Sequence, residues 1–138
     1  MPVPCPYCEQ PCQLVTGDKI YPGRDDLSGK KFWRCYPCRA YVGCHPGTER
    51  PLGTPARANL RAARNRAHAS FDPLWKSLKK KNARKRAYKW LAEQMGIENV
   101  GRDCHIGLFD QAQCAQVVEI CEQTKAEIRE KRRAKSNA

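Results

Sequence analysis

Two Cys-x-x-Cys pairs, Cys5/Cys8 in "CPYC" and Cys35/Cys38 in "CYPC", carry the chemistry most readily read from this chain, with 26 residues between them. A C-x-x-C segment forms a tight knuckle that aims two sulfurs at one point, and two knuckles complete a tetrahedral tetrathiolate shell suited to Zn²⁺. The gap exceeds the usual ~15–20 residues, and the turn-rich loop "PGRDDLSGK" (residues 22–30) accounts for the excess. A thioredoxin-like redox pair needs a βαβ context around its C-x-x-C, which this pattern lacks. Disulfides are the other alternative, but nine cysteines are an odd count. The segment "MPVPCPYC" also has neither a basic nor an apolar signal region, so reduced thiols in the cytoplasm are expected. The spacing therefore predicts one structural Zn²⁺ held by Cys5, Cys8, Cys35 and Cys38. Cys12 reads as a strand residue rather than a fifth ligand. Cys44-His45 could form a second site with His68 or with Cys104-His105, the alternative being a buried thiol and a loop histidine.

The second chemistry is cationic. The 138-residue chain has a net charge of +12, and nearly all of the excess lies in residues 56–90, with twelve Lys/Arg against Asp72 alone. Residues 1–55 carry seven against five, and residues 91–138 seven against eight. At 100° per residue, Arg57, Arg61, Arg64 and His68 fall on one stripe of a helix, beside an apolar stripe of Leu60, Ala63, Ala67 and Phe71. Arginines at this spacing suit a phosphate track, because guanidinium grips phosphate oxygens bidentately. Further along, Lys76, Lys79, Lys80, Lys81, Arg84, Lys85, Arg86 and Lys89 place eight cations in fourteen positions. Such a cluster repels itself unless an anion neutralises it. Nucleic acid is the expected counter-anion, against a solvated face or an acidic protein partner. Trp75, Tyr88 and Trp90 interleave with this charge. The two tryptophans read as core, and Tyr88 is open between core and a base-stacking role.

The elements that must position these groups follow from periodicity and punctuation. "CQLVT" and "KIYP" read as strands around Gly17-Asp18, and "KFWRC" and "AYVGC" as a second pair. Thr54-Pro55 reads as a helix start, and Asp72-Pro73 repeats the signal for a second helix. Asn82 is a candidate cap inside the basic stretch, Gly96 a helix stop, and "GRDCHIGLFD" a loop or short strand. Asp110 is expected to cap a last helix with an apolar stripe of Cys114, Val117, Val118, Cys121 and Ile128. The fold class expected is small α+β: an N-terminal antiparallel zinc ribbon at residues 1–50, then a bundle of three or four helices forming a basic module at 51–138. No run of ~18 apolar residues is present, so no membrane segment is expected.

The segments "CPYC", "WRCYPCRAYVGCHPGT", "PLGTPA", "LRAARNRAHASFDPLWK" and "CHIGLFD" together resemble a zinc-finger-containing domain family of phage and bacterial (prophage) proteins. The resemblance covers residues 4–76 well and 86–121 more loosely. It implies zinc at Cys5, Cys8, Cys35 and Cys38 and a phage or prophage setting, and it implies no activity.

No carboxylate or histidine cluster has the spacing that would hold a catalytic ion beside an activated water, so an enzyme is not expected. The expected function is nucleic-acid binding, to DNA or RNA, with basic helices at 56–90 contacting phosphates. The alternative is an adaptor that docks on a host replication, transcription or translation machine. A metal-dependent nuclease is the least favoured.

Overall fold

The computed structural model describes residues 3–136, and the chain divides into two compact units, Met1–Arg61 and Ala62–Ala138. In the first unit three short strands, β1 (Gln13–Thr16), β2 (Lys31–Cys35) and β3 (Ala40–Gly43), form an antiparallel sheet in the order β1-β2-β3. Leu14 pairs with Trp33 across β1 and β2, and Phe32 with Gly43 across β2 and β3. Aromatic and β-branched residues at these positions suit a pleated, half-buried surface. The "KFWRC"/"AYVG" strand pair is as expected from the sequence.

The first hairpin is not. "KIYP" does not return as a strand, because β2 takes the edge of β1 directly. Residues 17–30 are instead an excursion that opens with the helical turn α1 (Gly17–Ile20). Its base is closed by the Gly17 N–H donating to the Lys30 carbonyl at 2.7 Å. A Cβ on residue 17 would lie 1.7 Å from the Leu27 carbonyl oxygen, so only glycine allows this approach. Tyr21, directly after α1, packs against Phe32 and Tyr41, and the three rings meet edge to face at 5.9–6.0 Å.

Residues 51–61 belong to the ribbon's compact unit, because Ala56 bridges to Tyr41 of β3. That bridge delays the helix expected at Thr54-Pro55, and α2 runs over Ala58–Lys76. Asp72-Pro73 does not start a second helix, and Pro73 lies within α2. Proline there removes the hydrogen bond to the Ala69 carbonyl, but both residues are exposed and water can replace it. Asp72 does no capping. Its carboxylate meets His68 Nδ1 at 3.3 Å and accepts from Trp75 Nε1 at 3.2 Å.

The helix stops where Lys79 and Asn82 take left-handed backbone angles, φ 49° and 63°. α3 (Ala83–Met95) follows and ends on Gly96 at φ 75°, the stop read from the sequence. "GRDCHIGLFD" is neither loop nor strand throughout. It holds the turn α4 (Val100–Asp103) and a 3₁₀ turn at Ile106–Leu108. Asp110 begins α5 (Gln111–Ser136) with a reciprocal cap: Gln113 N–H donates to Asp110 Oδ1 at 2.8 Å, and Asp110 N–H to Gln113 Oε1 at 3.0 Å.

Phe71 and Ala67 of α2, Leu91 and Tyr88 of α3, and Cys114, Val117 and Cys121 of α5 share one core with Ile106 and Phe109. Ile128, expected in the apolar stripe of the last helix, is exposed, and so is Leu78. Leu78 lies past the end of α2, and Ile128 lies two turns beyond the last residue of α5 that is fully buried. Among the described residues no helix is long and apolar enough to cross a membrane.

Candidate metal centre and basic surface

The two knuckles bring Cys5, Cys8, Cys35 and Cys38 together, with all four sulfurs within 4.8 Å of one another. Each knuckle is built from a backbone turn. Glu9 N–H donates to the Cys5 carbonyl at 2.8 Å, and Arg39 N–H to the Tyr36 carbonyl at 3.1 Å. Both turns close on a residue in the left-handed region, Glu9 at φ 67° and Arg39 at φ 56°. Cys35 ends β2 and Ala40 opens β3, so the second knuckle is the β2–β3 connection itself.

The shell fits zinc on its dimensions. A tetrahedron with Zn–S of ~2.3 Å has sulfur–sulfur edges of about 3.8 Å, and Cys8 Sγ and Cys35 Sγ stand 3.7 Å apart. A disulfide would need about 2.05 Å, and every cysteine is free. Burial pushes the Cys5 thiol up, but the backbone N–H groups of Tyr7 and Cys8 and the neighbouring Cys35 and Cys8 thiols pull it down further, below its ordinary value. Hydrogen bonding with Cys8, then burial, push the Cys38 thiol up to about 12. Without a cation, the four sulfurs thus compete for one another's protons. A dication releases those protons and holds all four as thiolates. The cofactor is one structural zinc.

Cys12 packs against the cluster with Ala40 and Trp33 but is not one of the four. Burial first, then the charge on Cys5, Cys35 and Cys8, push its thiol up to about 11, so it stays protonated at neutral pH. Cys12→Ser is expected to keep one zinc per chain by elemental analysis. Loss of the metal in that variant would make Cys12 a ligand.

The second site suggested by Cys44, His45, His68, Cys104 and His105 does not assemble. Among the described residues the four N-terminal cysteines are the only group of metal-ligating side chains close enough to hold an ion. Cys104 is fully buried and faces the Tyr88 carbonyl at 3.4 Å, His105 lies against the Tyr88 ring, and His68 meets Asp72.

The cations expected to track phosphate separate into two groups. Arg57, Arg61, Arg64 and His68 do not form a free stripe. The Arg57 guanidinium lies 4.3 Å over the Tyr7 ring and donates through Nε to the Cys38 carbonyl at 3.0 Å. The Arg61 guanidinium sits 3.8 Å over Tyr41 and donates to the Ala56 carbonyl. Arg64 is buried, and its Nε donates to the Phe109 carbonyl at 3.0 Å. The stripe borders the apolar face, so the arginine stem covers core while its head finds a backbone acceptor.

Lys76, Lys79, Lys80, Lys81, Arg84, Lys85, Arg86 and Lys89 are all exposed, at the end of α2, the connecting loop and the first turns of α3. Among the described residues none of the eight forms an ion pair with a carboxylate. Arg66, outside the stripe singled out from the sequence, is exposed as well. The charge count of the segment, rather than helical phase, was the signal that could have found it. Trp75 and Trp90 pack partly buried against the core, and Tyr88 is buried 4.7 Å from Phe71, which removes it as a base-stacking ring.

The model of a zinc-finger-containing domain family matches residues 1–124. The chain belongs to that family. The zinc-finger-containing domain thus spans both compact units, from the first knuckle into α5. No curated protein and no solved structure matches the chain.

Proposed function

We propose that this zinc-finger-containing protein binds nucleic acid, DNA or RNA, through the phosphate backbone, with the basic corner at residues 76–89 as its main contact. The observation that carries this reading is the set of eight exposed cations without a carboxylate partner. Lysines and arginines gathered at a helix–loop–helix corner supply charge rather than base-edge geometry, so binding is largely independent of sequence. In this reading the protein is a binder rather than an enzyme and acts in the cytoplasm of a host cell, in a phage or prophage setting. The zinc is structural, and the ribbon carries no reaction.

The salt dependence of binding tests it. If about six phosphates on duplex DNA are neutralised, log K falls with log salt at a slope near −5. Fluorescence anisotropy of a labelled duplex across a salt series reads this directly. A slope near zero would remove phosphate contact as the basis of binding.

A second reading, an adaptor docking on a host nucleoprotein machine, draws support from one feature. Leu74, Leu78, Ala87 and Trp90 line a small apolar pocket of about 240 Å³ flanked by Lys80 and Arg86. Exposed apolar surface within a basic corner suits a protein that touches a partner and its nucleic acid together. Pull-down from host lysate with and without nuclease separates the readings, since only an adaptor retains its protein partner after digestion.

A further inference from the structure

The ribbon has a second cationic surface, separate from residues 76–89. A cleft of about 890 Å³ opens beside the second knuckle, and its ionisable wall residues are Lys19, Arg34, Arg39, Arg57 and Arg61, together with the tyrosines Tyr36 and Tyr41 and the zinc ligand Cys38. Among the described residues no carboxylate lines it. Its volume lies within the roughly 300–1,000 Å³ typical of ligand sites.

Two details show the cleft to be built rather than incidental. The guanidinium groups of Arg57 and Arg61 are fixed by rings and backbone carbonyls, and each keeps further N–H donors for an anion. Arg34 lies 5.1 Å over the Tyr36 ring and donates through Nη1 to the Lys19 carbonyl at 3.3 Å, which fixes this cation in the cleft wall as well. Arg39 holds a left-handed backbone at φ 56°, where glycine is the unstrained choice. Its side chain lines the cleft, so replacing it with glycine removes a cation while easing the backbone.

Tyr36 decides the ligand class. The residue is 72% exposed, the most exposed large hydrophobic among the described residues, and it stands among these cations. An exposed ring beside phosphate-gripping arginines matches a single strand, whose bases have free faces, and not a duplex, whose base faces are stacked. We infer that the ribbon cleft binds a short stretch of single-stranded nucleic acid, one base stacking on Tyr36 and about three phosphates meeting Arg34, Arg39 and their neighbours. The inference shares with the proposed function only the class of partner, because the residues are different.

The test uses the full zinc-loaded chain and a fluorescent pentathymidylate. The parent is expected to bind it with a log K against log salt slope near −2, for about three single-strand phosphates. Arg39→Gly relieves the left-handed residue, so it should keep zinc and melt no lower, yet bind about ten-fold more weakly. Glu9→Gly makes the same relief on the opposite knuckle and should bind as the parent does. Tyr36→Ala should also lose about ten-fold, the scale of one base stack. The K80E/R84E/K85E chain should hold the pentamer normally while losing duplex.

Parent-like binding by both Arg39→Gly and Tyr36→Ala would overturn the cleft. Loss in Arg39→Gly alone would also overturn the single-strand assignment, because the cleft would then bind charge without stacking a base. Equal loss of the pentamer in K80E/R84E/K85E would place it outside the cleft and likewise overturn the inference. Failure of the parent to bind the pentamer while it binds duplex overturns the cleft and leaves the proposed function standing. The reverse pattern overturns the proposed function alone.

Discussion

Cys35→Ser is expected to release the zinc and unfold the ribbon unit while leaving the helices of the second unit formed. Cys35 links both halves of the cluster, standing 3.7 Å from Cys8 and ending the central strand β2. Beyond the metal cluster, the unit is held mainly by its three short strands and the Tyr21, Phe32 and Tyr41 rings. Its cluster core is Cys5, Cys12, Cys35 and Ala40, with Trp33 and Cys38 partly covered. Ordering a chain costs roughly 1–2 kcal/mol per residue in backbone entropy, and so small a core offsets little of that. Structural zinc contributes about 10–16 kcal/mol of apparent binding free energy, so losing a ligand removes the largest single stabilising term. The second unit keeps its own core around Phe71, Leu91 and Val117. Elemental analysis should therefore find less than one zinc per chain, and amide spectra should lose dispersion for residues 3–61 only. Cys121→Ser, which alters a buried core thiol far in sequence from the knuckles, should keep its zinc. A Cys35→Ser chain with full zinc and an unchanged ribbon would show that the tetrathiolate does not hold this fold.

The metal ligands were legible because a knuckle is a local object: two cysteines three apart already aim two sulfurs together. The same holds for Gly96 and Asp110, whose roles depend on neighbours within four residues. Non-local choices were harder to read. "KIYP" has strand-like residues, but whether it pairs depends on which segment reaches β1 first, and Lys31–Cys35 does. Arg64 has the phase of a solvent stripe, yet its neighbour across the core, Phe109, offers a carbonyl 45 residues away that no window on the sequence contains. Pro73 reads as a break, but an exposed helix face tolerates the lost hydrogen bond. The basic segment was legible as composition, but its division into arginines bound to backbone carbonyls and exposed cations without a carboxylate partner was not. The ribbon cleft was invisible for the same reason, since Lys19, Arg34, Arg39, Arg57 and Arg61 are scattered over more than forty positions.

Reversing three charges of the basic corner should produce the largest change in binding. Lys80, Arg84 and Lys85 are exposed, and no carboxylate pairs with them among the described residues. Glutamate there removes repulsion from the free protein and has high helix propensity at positions 84 and 85 of α3, which offsets the loss of the Arg84 contacts 6.0 and 5.7 Å over the Trp75 and Tyr88 rings. Each duplex phosphate contact contributes about 0.9 to the salt slope, and near 0.1 M salt this amounts to roughly eight-fold in affinity. Three lost contacts should cost about two to three orders of magnitude, and the slope should fall from near −5 to near −3.

The most direct test of the account is therefore one experiment: duplex affinity against salt for the parent and the K80E/R84E/K85E chain, side by side, with zinc content and helicity checked in both. The account predicts a hundred-fold or greater loss at about 0.1 M salt and a flattened slope, in a variant that keeps its zinc and its helices. A variant that binds as tightly as the parent at every salt concentration would contradict it.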